Sequence, residues 1–573
     1  MRILHRVTVA DAAAHLVTVE TTITAPDPLP DPLELFFAVW TPGSYLVREY
    51  SRHVESFSAG AHAVHKVRKN AWHVTHGGAR EVSVRYSVYC AELTVRTNHI
   101  DATHVYLNGA STFVAVQGHM GSPIEVELDM PDGYRTATPL EASGPRRFTA
   151  KDYDQLVDSP IESGLLREAT VTAAGRRHAF AIWPETAVSD ANVDRLLEAT
   201  KTIVEAEAGL FGGDLPHDGY TFLLHMASRA RGGLEHMASS SLIAPPSSFD
   251  GREGFLDLLS LVAHEYFHLW NVKRIRPVGL SPYRYEEENY TKLLWWFEGA
   301  TSYYDWRVLR LSKLCTVDEY FDHLAGEIAY VESTPGRFVH SLEAASFDAW
   351  IKLYRPDENT ANSTISYYRK GEIVNAMLDL EIRARSGGRA SLDGVLLHMW
   401  RTHGARSVPV PEDGMQRLFE EATGLELGDL FDKLVRQAGG VDVAATLDHA
   451  GLVVERTARS DGATVSLGVR TRSDGGRLIV STALRGSAAQ RAGIDGGDEI
   501  IAIGGKRVEA GGLDAALSGR RPAETVPVLV ARDGLIHTCE VVLDPPRLDK
   551  VKVVPNKGAS EAQVALRRAW LGD

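Results

Sequence analysis

The chain has little cysteine and no long apolar run, and each absence excludes a class of protein. Only three of its 573 residues are cysteines, Cys90, Cys315 and Cys539, and they lie far apart, which excludes a disulfide framework and a thiolate metal site. No uninterrupted apolar stretch of about twenty residues occurs, so we expect no membrane-spanning helix. Any zinc site must therefore be built from histidine and carboxylate.

Basic residues are outnumbered: 61 Lys and Arg against 75 Asp and Glu give a formal net charge of -14. A negative chain repels phosphate backbones and anionic lipid, so we expect no nucleic-acid and no membrane partner. The basic cluster of Lys273, Arg274 and Arg276 is too short to change this expectation. Near the N-terminus His5 and Asp11 interrupt the apolar residues, unlike in a signal peptide, and the sequence predicts a cytoplasmic protein.

The length predicts several domains, because 573 residues and 62.7 kDa exceed what one hydrophobic core normally serves. Residues 1 to about 165 contain short alternating runs, such as EVSVRYSVY at 81–89, which predict an antiparallel β-sandwich. From about 190 to 438 the apolar period is mostly helical, with a strand at 220–227. After about 440, short strands and Gly-rich turns predict a small β module and then a polar tail.

The stretch HEYFH at 264–268 follows the apolar run FLDLLSLVA. Residues four apart lie on one face of an α-helix, so His264 and His268 can reach one cation together. Imidazole is a good zinc ligand, and Glu265, next to a ligand, is placed to act as general base toward a water. The pattern is short, and a helix with one exposed and one core histidine would show the same five residues. A third ligand decides between the two interpretations.

A catalytic zinc has three protein ligands and one open position, and two sets of acids downstream compete for the third place. Glu298 stands in LLWWFEGATSYYD, on a helical pattern among aromatic residues, where a lone carboxylate is costly unless it is paired or binds metal. Glu286, Glu287 and Glu288 are nearer, but their surroundings, YRYEEENYT, are polar. We prefer Glu298 because low-dielectric surroundings strengthen the bond between a carboxylate and a cation.

HEYFHLWNVKRIRP (264–277) and WWFEGATSYYD (295–305) resemble the glycyl aminopeptidase family of zinc metallopeptidases, which is related to thermolysin and to the alanyl aminopeptidase and leukotriene hydrolase families. Four further stretches resemble this family in the expected order, so that the likeness covers about 1–540: WTPGSYLVREYSRHV (40–54), YDQLVDSPIESG (153–164), GGLEHMASSSL (232–242) and SYYRKGEIVNAMLDLEIR (366–383). The resemblance implies one catalytic zinc per chain.

GGLEH (232–236) stands where related aminopeptidases carry a Gly-x-Met-Glu-Asn exopeptidase signature. The resemblance implies that Glu235 binds the free α-ammonium of the substrate, and that Gly232 and Gly233 also belong to the substrate-binding segment. Leu234 and His236 depart from the signature. Without the family, the stretch also fits a Gly-rich edge strand or loop whose acid is solvated.

YRKG (368–371) matches the Tyr-x-Lys-Gly segment of the related aminopeptidases, so the resemblance makes Tyr368 the donor to the developing oxyanion. Such donors are typically worth about 3 to 4 kcal/mol in the transition state. The neighbouring Tyr367 is the alternative donor.

LRGSAAQRAGIDGGDEIIAIGGKRV (484–508) resembles a PDZ domain. Such domains accept an extended peptide as an added strand and hold its terminal carboxylate with backbone amides of a Gly-containing loop. VSLGV (465–469), with Gly468, is the expected loop. The sequence leaves two alternatives open: the module binds a peptide or protein C-terminus, or it only packs against the catalytic part.

These observations predict a multidomain α+β fold with an N-terminal antiparallel β-sandwich at 1–168, a thermolysin-like zinc catalytic domain at 169–315, an α-helical domain at 316–445, a PDZ domain at 446–545 and a tail at 546–573. The resemblance implies an aminopeptidase that releases small N-terminal residues, glycine or alanine, from peptide substrates. Two other functions stay open: a zinc endopeptidase, and a catalytically weak peptide-binding or scaffold protein that acts through the PDZ domain.

Overall fold

The computed structural model describes residues 1–228, 230–458 and 463–573. The chain divides into two compact units that alternate along the sequence. The first unit comprises Met1–Thr291, Tyr304–Leu314 and Leu396–Glu412, and the second comprises Lys292–Tyr303, Cys315–Val395 and Asp413–Asp573. The domain boundaries expected from the sequence stay predictions.

The first unit begins with short strands joined by turns and two short helices, α1 (Gly109–Thr112) and α2 (Tyr153–Val157). The strands are β1 (Arg2–Asp11), β2 (Leu16–Thr24), β3 (Leu33–Phe36), β4 (Val54–Ser58), β5 (Ala63–Arg68), β6 (Ala71–Thr75), β7 (Glu81–Tyr89), β8 (His99–Ile100), β9 (His104–Leu107), β10 (Ala115–Val116), β11 (Ile124–Asp129), β12 (Arg135–Ala137), β13 (Glu141–Gly144), β14 (Arg147–Ala150) and β15 (Ile161–Gly164).

These strands form three sheets, in the orders β13-β14-β11-β1-β2-β7-β4, β10-β3-β6-β5 and β12-β15-β9-β8. Strand β7 buries Val82, Val84, Tyr86 and Val88 on one face, as its alternating sequence predicts. The β-rich N-terminal domain is therefore confirmed. One of its pairs, β1 with β11, is parallel, which the expected antiparallel pattern did not include.

The β-rich part is followed by an α/β layer whose last helix carries the histidine pair. Its elements are β16 (Arg167–Ala173), β17 (Arg176–Trp183), α3 (Asp190–Leu210), β18 (Gly219–Met226), β19 (Gly232–Glu235), β20 (Ser239–Ala244) and α4 (Arg252–Phe267). The sheet order is β16-β17-β18-β20-β19, so the strand β19, which holds GGLE, lies at an edge and runs antiparallel to β20. The strand expected at 220–227 is present as β18, and the helical period expected from about 190 begins with α3.

Helices follow, as the period of the middle segment predicts. They are α5 (Leu294–Phe297), α6 (Gly299–Leu311), α7 (Val317–Glu332), α8 (Leu342–Phe347), α9 (Thr360–Ser363), α10 (Arg369–Ser386), α11 (Leu392–Thr402), α12 (Met415–Thr423), α13 (Gly428–Phe431) and α14 (Val443–Asp448). None of the helices in the described ranges has the length and hydropathy needed to cross a membrane.

The C-terminal part of the second unit is a small β module between two paired strands. Its elements are β21 (Leu452–Thr457), β22 (Val469–Asp474), β23 (Arg477–Ala483), α15 (Ala488–Arg491), β24 (Glu499–Ile503), β25 (Lys506–Arg507), α16 (Leu513–Leu517), β26 (Thr525–Arg532), β27 (Leu535–Val542), β28 (Lys550–Pro555) and α17 (Glu561–Leu571). The module sheet has the order β22-β23-β24-β26-β27, whereas β21 pairs antiparallel with β28. The module is thus an insertion between the two strands of a ribbon.

The polar tail ends in helix α17, which is anchored by one aromatic side chain. Trp570 is fully buried, and its Nε1 donates to the hydroxyl of Tyr303 at 2.8 Å. The same hydroxyl donates to Asp379 Oδ2 at 2.7 Å. Residues at the very end of the chain therefore belong to the core of the second unit, which the polar composition of the tail did not predict.

Replacing Trp570 with alanine should lower the midpoint of thermal unfolding, because it removes a buried aromatic ring and one partner of Tyr303. Such a truncation typically costs about 3–5 kcal/mol. Differential scanning calorimetry measures the shift, and the exposed Arg568→Ala variant in the same helix is the matched control. Equal unfolding midpoints for the two variants would show that α17 does not contribute to the stability of the unit.

Candidate metal centre

The histidine pair lies at the end of helix α4, whose apolar residues bury it. Leu258, Leu261 and Val262 are among the buried residues of the preceding turns. His264 is half-buried and His268 is buried, with their ring centroids 4.8 Å apart. The two imidazoles therefore lie next to each other on one face, as the spacing of four residues predicts.

Both histidines are oriented through their Nδ1 atoms. His264 Nδ1 donates to Asp305 Oδ2 at 3.1 Å, and His268 Nδ1 donates to the carbonyl oxygen of Asn271 at 2.8 Å. A hydrogen bond at Nδ1 fixes the tautomer and leaves Nε2 with a lone pair for a metal. The sequence requires such partners but does not identify them. One signal was present: Asp305 lies about two helical turns after Glu298 on the same helical pattern.

A further acid, Glu207, lies near Asp305. Glu207 of α3 is fully buried, and its burial and the nearby Asp305 carboxylate both raise its pKa well above the usual range. Burial therefore favours the protonated, neutral form of the Glu207 carboxyl group.

Glu298 lies between α5 and α6 and is 2% exposed. Ligand atoms of His264, His268 and Glu298 all lie within 4.8 Å of one another. Two imidazoles and one carboxylate are the donor set of a catalytic zinc site with an open position, so these residues fit zinc.

The competing acids have other partners. Glu286 pairs with Arg68 at 2.6 Å and Glu287 with Arg284 at 2.6 Å. Among the described residues, neither these two nor Glu288 belongs to a group that could hold a metal ion. The ligand role of Glu298 stays a prediction.

Glu265 packs against the edge strand β19. A Cβ atom added to Gly233 would lie 1.9 Å from Oε1 of Glu265, so only glycine leaves room for this side chain. Ligand atoms of Glu235, Glu265 and His268 also lie within 4.8 Å of one another. The residue predicted as general base and the residue predicted as amine anchor are thus neighbours in the first unit.

Glu235 is 3% exposed, which contradicts the alternative that its carboxylate is solvated. Its carboxylate lies against Gly43, where an added Cβ would come within 2.4 Å of Oε2. Gly43 also has φ +87°, a backbone conformation that residues with side chains rarely adopt. Both the lack of space and this conformation therefore require glycine at position 43. The sequence alone indicates no role for Gly43 beyond the family likeness of WTPGSYL.

The chain just after Glu235 is fixed by a buried ion pair. Lys273 Nζ lies 2.5 Å from Asp158 Oδ1, and the backbone N–H of Met237 donates to Asp158 Oδ2 at 2.7 Å. Burial would raise the pKa of Asp158, but Lys273 and His236 hold it below its usual range. Lys273 is 2% exposed, so this member of the basic cluster is an internal residue.

Tyr368 precedes helix α10 in the second unit. Its hydroxyl lies 3.0 Å from the hydroxyl of Tyr354, a residue that the sequence analysis did not identify. Burial and the nearby Glu298 carboxylate raise the pKa of Tyr368 well above the usual range, so the phenol stays protonated and can donate. Tyr367 is fully buried, whereas Tyr368 is half-buried. The choice of Tyr368 over Tyr367 as oxyanion donor stays a prediction.

A second cluster with the composition of a metal site is a hydrogen-bonded network instead. Glu162 lies fully buried between His104 Nδ1 at 2.7 Å and His225 Nε2 at 2.8 Å. Burial would raise the pKa of Glu162, but the two histidines lower it to about 2. Direct hydrogen bonds occupy both carboxylate oxygens, so we assign this cluster a structural role.

Comparison with known proteins identifies three families along the chain. The Peptidase M61 N-terminal domain matches residues 5–165, the M61 glycyl aminopeptidase family matches residues 257–374, and the PDZ domain matches residues 452–531. No curated protein matches the chain.

Among solved structures, an aminopeptidase N family protein from Idiomarina loihiensis is similar at 28% identity, with a TM-score of 0.93 over 99% of this chain and 100% of that chain. An M1 zinc metallopeptidase from Deinococcus radiodurans bound to a Tyr-Ser-Ala substrate has 15% identity and a TM-score of 0.47, over 77% of this chain and 95% of that one. Yeast LTA4 hydrolase has 14% identity and a TM-score of 0.46, over 78% and 70%. The last two likenesses are too low to support conclusions about activity.

Replacing Glu298 with alanine should weaken zinc binding by more than the ~10–100-fold typical for loss of an outer partner of a metal ligand. Zinc content after dialysis, and competition with a chromogenic chelator, measure the change. Glu286→Ala is the matched control and should keep its zinc. Full zinc occupancy in the Glu298 variant, together with loss of zinc from the Glu286 variant, would show that the acidic triplet provides the third ligand.

Proposed function

Because the chain belongs to the M61 glycyl aminopeptidase family and is therefore a metallopeptidase, we propose that it is a zinc-dependent aminopeptidase that releases small N-terminal residues, glycine and alanine preferred, from peptides. The observation that carries the proposal is the pair of neighbouring groups, His264–His268–Glu298 and Glu235–Glu265–His268. The first group has the donor atoms for a metal ion. The second group shares His268 with the first and adds the buried acids Glu235 and Glu265.

The residues that would hold one zinc per chain are His264, His268 and Glu298. Bound zinc supplies a Lewis acid that polarises a peptide carbonyl and makes water easier to deprotonate. The hydrogen bonds of the two Nδ1 atoms support this assignment, because they direct each Nε2 away from its anchor.

Glu265 is the proposed general base. Its carboxylate accepts a proton from the attacking water and passes the proton to the leaving amine, a transfer that typically contributes about 10²–10⁴-fold to the rate. Its close packing on Gly233 supports this role, since a base held against a rigid strand keeps its direction during the transfer.

Glu235 is the proposed anchor for the free α-ammonium of the substrate, with Gly232 and Gly233 of β19 contributing to peptide binding. A buried carboxylate forms a strong charge-assisted hydrogen bond with an ammonium group. The burial of Glu235 supports exopeptidase over endopeptidase activity, because an internal peptide bond brings no positive charge to it. Tyr368, kept protonated, is the proposed donor to the developing oxyanion.

The PDZ module is the proposed site for a peptide or protein C-terminus. Strand β22 lies at the edge of its sheet, and Gly468 has φ +71° in the loop before it. The position of β22 at the end of the strand order and a left-handed glycine in the loop support strand addition. A scaffold without catalysis is less well supported, because all residues of the proposed metal centre and its base are present. The cytoplasmic location remains a prediction from the sequence.

Replacing Glu265 with glutamine should leave zinc binding intact and lower kcat by at least about 100-fold, because the amide cannot accept the proton. Hydrolysis of an alanine arylamide, measured together with zinc content, checks this. Glu253→Gln, an exposed acid of the same helix, is the matched control. Unchanged kcat in the zinc-loaded Glu265 variant would mean that another group is the base.

Acetylation of the substrate N-terminus should lower kcat/KM by at least about tenfold, since the hydrogen bond of a charged group is worth ~1.5–3 kcal/mol. Matched peptides beginning with alanine, free and acetylated, are compared by mass spectrometry. In Glu235→Gln the difference between the two peptides should shrink. If both peptides are cleaved equally well by the unmodified enzyme, it is an endopeptidase.

A further inference from the structure

The second unit contains a cavity of about 380 Å³ that none of the proposed catalytic residues lines. Its walls come from α7, from the turn that contains Arg337 and Phe338, from Ile373 of α10, and from the segment after β27 that contains Arg547. The volume is within the range of small-molecule sites, which is about 300–1,000 Å³.

Two cations, Arg337 and Arg547, line this cavity, and a third, Lys370, lies near Arg337 without lining it. Arg337 Nη1 donates to the carbonyl of Thr334 at 2.9 Å, Arg547 Nη2 donates to the carbonyl of Ser333 at 3.2 Å, and Lys370 Nζ donates to the carbonyl of Gly439 at 3.1 Å. Within the described ranges, no carboxylate lies within 4.0 Å of any of these three groups, so each makes hydrogen bonds to neutral oxygens only.

The acids of the cavity wall do not balance this charge. Glu332 is already bound by Arg456, at 2.9 Å and 2.7 Å. Asp549 contributes one negative charge at the wall. With Glu332 bound by Arg456, the two lining arginines face one remaining acid, which leaves the cavity with a small excess of positive charge in a chain whose overall net charge is -14.

The cations also affect one another. Burial lowers the pKa of Lys370 to about 8, with Arg337 contributing to the shift. Burial lowers the pKa of Arg337 as well; the nearby Glu332 carboxylate opposes this shift, and Arg547 adds to it. Partly buried like charges repel, and an anion bound between them would relieve that repulsion.

The remaining surface of the cavity is apolar. Ile328, Val331 and Ile373 line it, and Phe338 and Leu548 flank it at 62% and 55% exposure. The Arg337 guanidinium lies 4.2 Å from the centre of the Phe338 ring. A ligand with both an anionic and an apolar part would pair with the guanidinium groups and cover these exposed side chains.

We propose that this cavity binds a small carboxylate with an apolar body, the size of one or two amino-acid residues, through Arg337 and Arg547. The carboxylate accepts hydrogen bonds from the guanidinium groups, and the apolar body covers Phe338 and Leu548. An amino acid or peptide terminus and a short aliphatic acid share this chemistry. Ile373 belongs to helix α10, which starts directly after Tyr368, so the ligand contacts a helix that also adjoins the proposed oxyanion donor.

Calorimetric titration of the zinc-loaded Glu265→Gln full-length chain tests the proposal without relying on peptidase activity. The probes are N-acetyl-leucine, its amide, and hexanoate. We expect saturable binding of at least one acid and at least tenfold weaker binding of the amide. Tighter binding of N-acetyl-leucine than of hexanoate indicates a peptide or amino-acid source, and the reverse order indicates an aliphatic acid.

Arg337→Gln and Arg547→Gln should each weaken binding of the acid at least about tenfold, whereas Arg417→Gln, an exposed arginine of α12, should leave it unchanged. Acid bound at the metal centre instead would be insensitive to both cavity variants. Absence of saturable binding, equal binding of acid and amide, or full binding in both cavity variants would overturn the proposal. If one cavity variant fails to fold, the other variant and the comparison of acid with amide still decide it.

Discussion

The hydrogen bond from His264 to Asp305 is the interaction on which the rest of the site depends. It joins the end of α4 to the middle of α6, and α6 begins directly after Glu298. Because α6 is one continuous helix, the position of Asp305 also fixes Glu298, about 10 Å away along the helix axis. One interaction thus orients an imidazole and, through the same helix, the segment that carries the carboxylate proposed as the third ligand.

Close approach between acids and backbone is the second constraint. Gly233 and Gly43 have no Cβ where the carboxylates of Glu265 and Glu235 lie, so both acids rest directly on main chain. The buried pair of Asp158 and Lys273 then fixes the segment that follows Glu235. Acids held this way keep one direction without the entropy cost of ordering a mobile side chain at each turnover.

The second unit combines a helical segment with an inserted β module. Because β21 and β28 pair with each other, the chain enters and leaves the module at neighbouring points. The segment after the module contributes Trp570 to the core of the second unit. A truncation at about 455 would therefore remove β28 and α17 as well as the module. Replacement of the inserted segment by a short linker between the paired strands isolates the module without that loss.

The sequence by itself determined what depends on local spacing. Helical period puts His264 and His268 on one face and alternation predicts β7, because these properties need only a few consecutive residues. Tertiary structure decided the rest: Asp305 and Asn271 as anchors of the histidines, Gly43 beneath Glu235, Tyr354 beside Tyr368, Lys273 as an internal ion, and Trp570 as a core residue. These contacts join residues far apart in the chain, and only the packing of helices and sheets brings such residues within hydrogen-bonding distance.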